Sequence, residues 1–404
     1  MEASNHYEVI VIGGGPAGTT TASFLARQGH RCLLLERGDF PRYSIGESLV
    51  PHSHGTLSRL GLLPKLVASD FIPKHSVRFV SVRGDESDPF YFSETIDGDA
   101  SRTWQVERTE FDQLCLDHAR EQGVEVRTMS AVEKVLFDNG KAVGVRVGSG
   151  EGTFDLHAKI IVDASGRASV IGNQLGLREG IPTLEKVSVW SYYKGGARGE
   201  GLDAGETTIL ILPDRSWAWY IPLANDIISV GIVGSADYLF PEAISNQDVL
   251  QREIDQSQPL SERLSGAECV SPVRGARRPL AFQVQQTVGD GWVMVGDARI
   301  FLDPIYSSGV LHAFESGERS ALCIHEALAT GDLSAETLGA AVPLLDAGTD
   351  MFSQLIHAFY DPGFSFRRFL DRYPEQRKAL IDCLVGDVFK DMTSFSQALG
   401  EMTG

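Results

Sequence analysis

Three groups of residues in this chain are of types and spacings that do chemistry. Gly13-Gly14-Gly15-Pro16-Ala17-Gly18 fits G-x-G-x-x-G, a loop that brings backbone N–H groups against a pyrophosphate. Lys74 lies in Pro73-Lys74-His75-Ser76. An amine there becomes a nucleophile or acid near neutral pH if burial lowers its pKa. Trp217 and Trp219 fall in Trp217-Ala218-Trp219-Tyr220-Ile221-Pro222. On an extended segment their indoles share a face and form a rigid wall, and each N–H wants a partner. Taken singly, each has a plainer reading: a glycine-rich turn without ligand, a surface lysine with a snorkelling stem, and the end of a core strand.

The elements around the glycine loop decide its case. Glu8-Val9-Ile10-Val11-Ile12 reads as a buried strand, Thr19 to Gln28 as a helix stopped by Gly29, and Arg31 to Glu36 as a strand ending on an acid. In that context Gly13 makes the tight turn and Gly15 admits the pyrophosphate. Gly18 lets the helix pack on the strand, and Glu36 takes a ribose hydroxyl. Two later strands also end on acids: Lys159 to Asp163, running into Ala164-Ser165-Gly166-Arg167, and Gly291 to Val295, running into Gly296-Asp297-Ala298. Asp residues at such strand ends bind ribose or ribityl hydroxyls, which favours flavin over nicotinamide. No second G-x-G-x-x-G follows a strand.

This set resembles the glutathione-reductase-like FAD fold in its aromatic-hydroxylase branch. Within it, Arg108 of Val106-Glu107-Arg108-Thr109-Glu110-Phe111-Asp112 matches a flavin-contacting arginine, and Ala131-Val132-Glu133 resembles the backbone that contacts adenine. Phe40-Pro41-Arg42 and Ile45-Gly46-Glu47-Ser48-Leu49-Val50-Pro51 resemble a segment shared by flavin-dependent halogenases and geranylgeranyl reductases. Trp217 to Pro222 matches the W-x-W-x-I-P motif of the halogenases. Phe71 to Phe79 matches the segment carrying their lysine, and Phe301-Leu302-Asp303-Pro304-Ile305-Tyr306-Ser307-Ser308-Gly309-Val310 resembles their loop beside the flavin. The resemblance runs from about residue 6 to Phe389. It implies a two-component oxidoreductase in which reduced FAD (FADH2), delivered by a separate flavin reductase, works with O2. The enzyme oxidises chloride or bromide to hypohalous acid and halogenates an electron-rich phenol or pyrrole, free or tethered to a carrier.

Carried over residue by residue, the resemblance assigns capture of hypohalous acid to Lys74, by hydrogen bonding or as a haloamine. It assigns cofactor binding to Gly13, Gly15, Ala17, Gly18, Glu36, Arg42, Ser48, Arg108, Ala131, Asp297 and Gly309. Halide binding falls to the backbone of Ser308 and Gly309 at a helix start. Separation of flavin from substrate falls to Trp217, Trp219, Ile221 and Pro222. One departure is Tyr306, where tryptophan-type halogenases carry Glu. Without that carboxylate the acceptor ring must stabilise its own cationic intermediate. A second departure is the short tail after Gly386-Asp387-Val388-Phe389, which leaves a substrate pocket open or closed by a partner. The alternatives are a flavin monooxygenase or prenyl-chain reductase of the same fold and, in another class, a non-catalytic flavin-binding partner protein.

The 404 residues are 43% hydrophobic and 22% charged, an ordinary globular balance. The fold class expected is α/β. A Rossmann-like FAD domain drawn from about 1–75, 100–175 and 272–335 is interleaved with a sheet-rich substrate domain from about 76–99 and 176–271. A helical region covers 336–404. The net charge of −18 argues against nucleic acid and anionic membrane surfaces. No apolar run reaches a membrane span and no signal-peptide pattern opens the chain. The scattered cysteines Cys32, Cys115, Cys269, Cys323 and Cys383 fit reduced thiols in a cytoplasm. Neither they nor the ten histidines show metal-ligand spacing, and His54, His75 and His312 read as structural. Arg367, Arg368, Arg372, Arg377 and Lys378 form a basic cluster, either a solvated helix face or a dock for an acidic carrier.

Overall fold

The computed structural model describes residues 6–150, 152–241 and 244–403. Two eight-stranded sheets organise them. In the first, His6–Ile12, Cys32–Leu35, Glu125–Arg127, the end of Gly152–Asp163 and Trp292–Met294 run parallel. Their registers align Ile12 with Leu35 and Asp163, and Asp163 with Met294. The central strands are runs of buried Val, Ile and Leu, as a sheet covered on both faces requires, while the edge strand Glu125–Arg127 is only partly buried. The other end of Gly152–Asp163 turns outward and pairs antiparallel with Lys141–Ser149, which carries Ala131–Asp138 in turn.

The aligned carboxyl ends place Gly13, Glu36, Ala164 and Gly296 along one edge, where ligands bind in open α/β sheets. The helices Pro16–Arg27 and Ser308–Thr330 start at that edge. They pack closely because the facing residues are small: a Cβ on Gly317 would lie 2.9 Å from the carbonyl of Ala17.

The second sheet runs in the order Glu268–Cys269, Lys186–Lys194, Ile227–Ser235, Trp217–Pro222, Thr207–Ile211, Ser76–Val80, Phe90–Tyr91, with Arg274–Ala276 beside Lys186–Lys194. Trp217–Pro222 is central and buried along its whole length. Its even-numbered residues Ala218 and Tyr220 join a core shared with Leu239, Val249, Leu250 and Leu260 of the short helices behind the sheet. Its odd-numbered residues Trp217, Trp219 and Ile221 join a different core with Phe92, Tyr306, Phe352, Phe369 and Leu384. The C-terminal helices Val342–Tyr360, Phe366–Arg372, Arg377–Val385 and Thr393–Gly400 thus close the tryptophan side. The short tail does not leave that face bare. No helix among the described residues is long and apolar enough to cross a membrane.

Candidate functional site

A cavity of about 540 Å³ runs from the carboxyl edge of the first sheet to the tryptophan face of the second. At its sheet end Gly13 turns the chain with φ +106°, and a Cβ there would lie 2.4 Å from the Ala164 carbonyl. A Cβ on Gly18 would lie 1.9 Å from the Gly13 carbonyl, so this glycine holds the helix against the strand. A Cβ on Gly15 would meet only Arg42 Nη2, at 3.4 Å, and would otherwise enter the cavity beside the helix start. Glu36 accepts hydrogen bonds from the N–H groups of Gly14 (2.8 Å) and Gly38 (2.9 Å), which fixes its carboxylate at the rim. Arg42 lies 3.7 Å from Glu36 and 3.4 Å from Asp112. Asp297 faces the same space; burial pushes its pKa up to about 6 against the pull of Arg108 and Arg167. A dinucleotide's phosphates, sugar hydroxyls and ring find a helix start, two carboxylates and an apolar end here, so the residues present fit FAD.

Of the expected cofactor residues, Gly13, Gly15, Ala17, Glu36, Arg42, Ser48, Arg108, Asp297 and Gly309 line the cavity, as do Ser308, Trp217, Trp219 and Ile221. Gly18, Ala131 and Pro222 do not. Ala131 opens an outer strand, and it is Met129 and Ser130 whose N–H groups bond the Gly38 and Glu36 carbonyls beside the cavity. Pro222 ends its strand one residue past the cavity wall, paired with Ile228. Asp163 is also withdrawn: its carboxylate accepts from the N–H groups of Ser165 (3.0 Å) and Ile171 (2.7 Å), so it pins its own turn, and Ala164 to Arg167 line the cavity instead.

Lys74 stands just behind the wall. Its strand Ile72–Lys74 pairs with Thr103–Gln105, and Ser48 bridges to Gln105 on the same strand. Lys74 Nζ donates to Ser48 Oγ (2.8 Å) and to the Leu49 carbonyl (3.1 Å), and lies 5.4 Å from the Phe92 ring centroid. The residue is 3% exposed, and among the described residues no carboxylate is its partner. Burial alone lowers its pKa to about 7. The amine meets the cavity wall at a hydroxyl pair, because Ser48 and Thr207 both line the cavity and their oxygens sit 2.9 Å apart. Gln105 Nε2 anchors that pair, donating to Thr207 Oγ1 at 2.7 Å.

The two indoles stand with centroids 6.1 Å apart, tilted by 55°. Trp219 lies over Gly231, where a Cβ would come within 2.1 Å of the indole, and its N–H donates to Ser229 Oγ (3.0 Å). Trp217 donates to Tyr360 Oη (2.8 Å), and Tyr360 donates to Asp303 Oδ2 (2.9 Å). Asp303 lines the cavity with its pKa pushed up to about 6 by burial. The helix Ser308–Thr330 begins at the wall after Ser307, whose φ of +54° turns the chain into it. His312, one turn in, also lines the cavity, and burial with the nearby Arg299 lowers its pKa to about 3. Tyr306 turns away, buried with its hydroxyl 3.4 Å from the Leu355 carbonyl.

Sequence reasoning did not single out Thr207, Asp303, Trp190, Tyr192 or Tyr360, and it gave Glu47 no role. A buried Trp N–H signals that a partner exists, but Tyr360 lies 143 residues away and nothing local identifies it. The basic cluster is largely engaged within the chain. Arg377 pairs with Glu94 (2.8 Å), Lys378 with Asp382 (3.5 Å) and Arg372 with Glu401 (3.9 Å).

Residues 6–193 match the family described as FAD binding domain. The chain is 29% identical over 410 residues to a 1H-pyrrole-2-carbonyl-[peptidyl-carrier protein] chlorinase of Pseudomonas fluorescens, covering 96% of this chain and 90% of the relative. It is 31% identical over 335 residues to a 1H-pyrrole-2-carbonyl-[peptidyl-carrier protein] brominase of Pseudoalteromonas luteoviolacea, covering 82% and 80%. The solved structure of the flavin-dependent brominase Bmp2 superposes with a TM-score of 0.89 at 29% identity, over 98% of both chains.

Proposed function

The chain belongs to the flavin-dependent halogenases, and from that premise we propose that it halogenates a pyrrole-type ring presented on a carrier protein, with Lys74 delivering the oxidised halogen. It is an FAD-dependent enzyme that halogenates aromatic compounds with halide and O2. The relatives named above lend no support to a monooxygenase, a prenyl-chain reductase or an idle flavin binder.

When bound and reduced, FAD supplies with O2 the oxidising power that turns halide into hypohalous acid. The chain's residues do the rest. The helix start at Gly15–Ala17 holds the pyrophosphate, Glu36 a ribose hydroxyl and Asp297 hydroxyls of the linker. The N–H groups of Ser308 and Gly309 hold halide where the helix dipole favours an anion. Trp217, Trp219 and Ile221 keep the acceptor ring from the flavin side. The buried Lys74 amine, near half ionisation at neutral pH, takes hypohalous acid from the cavity past Ser48. Charged, it donates a hydrogen bond to the oxidised halogen; neutral, its lone pair accepts the halogen and water leaves.

The observation carrying the lysine assignment is the placement of Lys74: fully buried, without a carboxylate partner among the described residues, and bonded to a hydroxyl of the cavity wall. A pyrrole ring, kept electron-rich by its nitrogen lone pair even under a carbonyl substituent, supplies the electron density that Tyr306 in place of a carboxylate demands. Pyrrole-2-carbonyl on a carrier protein, free pyrrole-2-carboxylate and a phenol panel are compared by mass spectrometry, with an added flavin reductase and bromide or chloride. The expected result is a halide-dependent mass shift, largest on the carrier-bound pyrrole. Halogenated phenols beside untouched carrier-bound pyrrole would overturn the acceptor assignment.

A further inference from the structure

Glu47 is a buried titratable group at the cavity that has no task in the chemistry above, as are Asp303 and His312; of the three it alone leads outward through a line of hydroxyls. It precedes Ser48, lines the cavity and is 2% exposed. Oε1 accepts a hydrogen bond from Tyr192 Oη at 2.6 Å, whereas Oε2 is buried and closes no hydrogen bond among the described residues, although the Ser229 hydroxyl also faces the carboxyl. A buried carboxyl oxygen left bare costs free energy unless it serves a ligand or a proton. Arg108, the cation that acts on it, forms no ion pair with it and spends its guanidinium on Asp112 (2.8 and 3.0 Å) and on the Ile45 carbonyl (2.6 Å). The groups facing Glu47 are Tyr192, Ser229, Arg108 and Glu107. Burial outweighs them and pushes its pKa up to about 7.

From Glu47 a line of hydroxyls leads outward. Tyr192 Oη lies 3.4 Å from Tyr43 Oη, and Tyr43 is 38% exposed, its oxygen accepting from Trp190 Nε1 and its ring beneath Arg274. The single Tyr192 proton has two acceptors in reach, Glu47 Oε1 at 2.6 Å and Tyr43 Oη at 3.4 Å; while it sits on the shorter bond to Glu47, the Tyr43 hydroxyl, accepting from Trp190, can turn its own O–H inward to Tyr192.

We propose that Tyr43, Tyr192 and Glu47 form a proton relay from solvent to the halide-oxidising cavity. The inference rests on the halogenase reading, because that reaction consumes a proton at the buried inner part of the cavity, whereas Tyr43, which also lines it, is 38% exposed. Reduced flavin, O2, halide and one proton give oxidised flavin, hypohalous acid and water, which balances atoms and charge. Glu47 gives up the proton on Oε2 and becomes a carboxylate. The Tyr192 proton moves to Oε1, the Tyr43 proton moves to Tyr192, and solvent reprotonates Tyr43. One proton enters at Tyr43 for each one leaving at Oε2, and rotation of the carboxyl restores the start.

The test uses Glu47→Gln and Tyr192→Phe, with flavin affinity as the folding control. Infrared difference spectra of flavin-free protein across pH 5–9 should show, beside the bands of Asp297 and Asp303 that titrate near 6, a protonated-carboxyl C=O band that disappears near pH 7 in wild type and at higher pH in Tyr192→Phe, which lacks the hydrogen bond holding the Glu47 pKa down. That component, and not those of Asp297 and Asp303, should be missing in Glu47→Gln. Trapped hypobromous acid should fall above about pH 7 in wild type. In both variants its formation should be slowed about 10²-fold, the low end for a positioned proton donor. Glu47→Gln should also lose the pH dependence. Wild-type rates and pH profile in Tyr192→Phe, or an unchanged carboxyl band in Glu47→Gln, would overturn the relay. Absence of bromide oxidation in wild type would instead overturn the halogenase reading, and the carboxyl band still judges Glu47.

Discussion

Replacing Lys74 with Met should stabilise the folded protein while removing halogenated product, and the stability gain should shrink as pH rises. In the unfolded chain the amine has its ordinary pKa of 10.5; folding lowers it to about 7. At ~1.4 kcal/mol per tenfold change in proton affinity, this is a penalty on the order of 5 kcal/mol for carrying the lysine at low pH. The sign follows from proton counts. Below about pH 7 both states hold the proton and the full penalty applies. Between about 7 and 10.5 the unfolded chain holds a proton that the folded chain has shed, so wild-type stability climbs by ~1.4 kcal/mol per pH unit. Methionine fills the space beside Phe92 without a charge but leaves the Leu49 carbonyl unpaired, which costs about 1–3 kcal/mol and offsets part of the gain. The slope, unlike the intercept, does not depend on that offset. Urea unfolding of flavin-free wild type and Lys74→Met at pH 7, 8 and 9 measures it, beside product yield in the loaded enzyme. A stability difference that stays constant over those pH values would refute the burial argument. Normal halogenation by Lys74→Met would refute the role of the amine.

Other outcomes follow from the same geometry. Gly15→Asp should leave the unfolding midpoint close to wild type yet abolish flavin binding, because its Cβ enters open cavity. Gly18→Val should lower the midpoint as well, because its Cβ would lie 1.9 Å from a backbone oxygen; equal thermal stability of the two variants would contradict this. Tyr360→Phe strips the partner from the Trp217 N–H, so it should cost about 1–3 kcal/mol and raise the ratio of peroxide released to product formed. Unchanged coupling would separate Trp217 from the barrier function. Free tryptophan should be a poor acceptor at its benzenoid carbons, since the Tyr306 hydroxyl is turned into the helix Val342–Tyr360. Efficient chlorination there, read by mass spectrometry and NMR, would count against that reading.

The cofactor half of the site was legible because its signals are local. Strand, glycine loop, helix and acid follow each other between Glu8 and Glu36, and sheet register alone brings their ends together. The tryptophan face was legible for a similar reason, since alternation along one strand puts Trp217 and Trp219 on one side whatever else surrounds them. Lys74 could be named by its segment but not placed. Its burial behind Ser48 arises because two remote segments bracket the strand Thr103–Gln105. Asp163 misled for a physical reason: a strand-end aspartate followed by Ser165 finds backbone N–H donors in its own turn before it meets a ligand. Glu47 and Tyr192 stayed hidden because a pairing across 145 residues leaves no trace in spacing.

The segment around Glu47 and Ser48 is where cofactor handling and halogen delivery meet. Neighbouring residues on extended backbone send their side chains to different partners. Here Glu47 reaches Tyr192 and Ser48 reaches Lys74 and Thr207. The backbone between them is pinned on both sides, by Val106 N–H to the Glu47 carbonyl (2.7 Å) and Leu49 N–H to the Trp104 carbonyl (3.1 Å). A shift of this segment therefore moves the carboxyl at the cavity and the hydroxyl that holds the amine together. Substitutions at Gly46, whose φ of +105° favours glycine, should disturb proton supply and product coupling in one step. Substitutions at Thr207, held by Gln105 on the far side of Ser48, should disturb coupling alone. Gly46→Ala and Thr207→Val compared for bromide oxidation and for the yield of halogenated ring resolve the two effects. If Gly46→Ala lowered ring halogenation while leaving the pH profile of bromide oxidation intact, the shared backbone would not be the link.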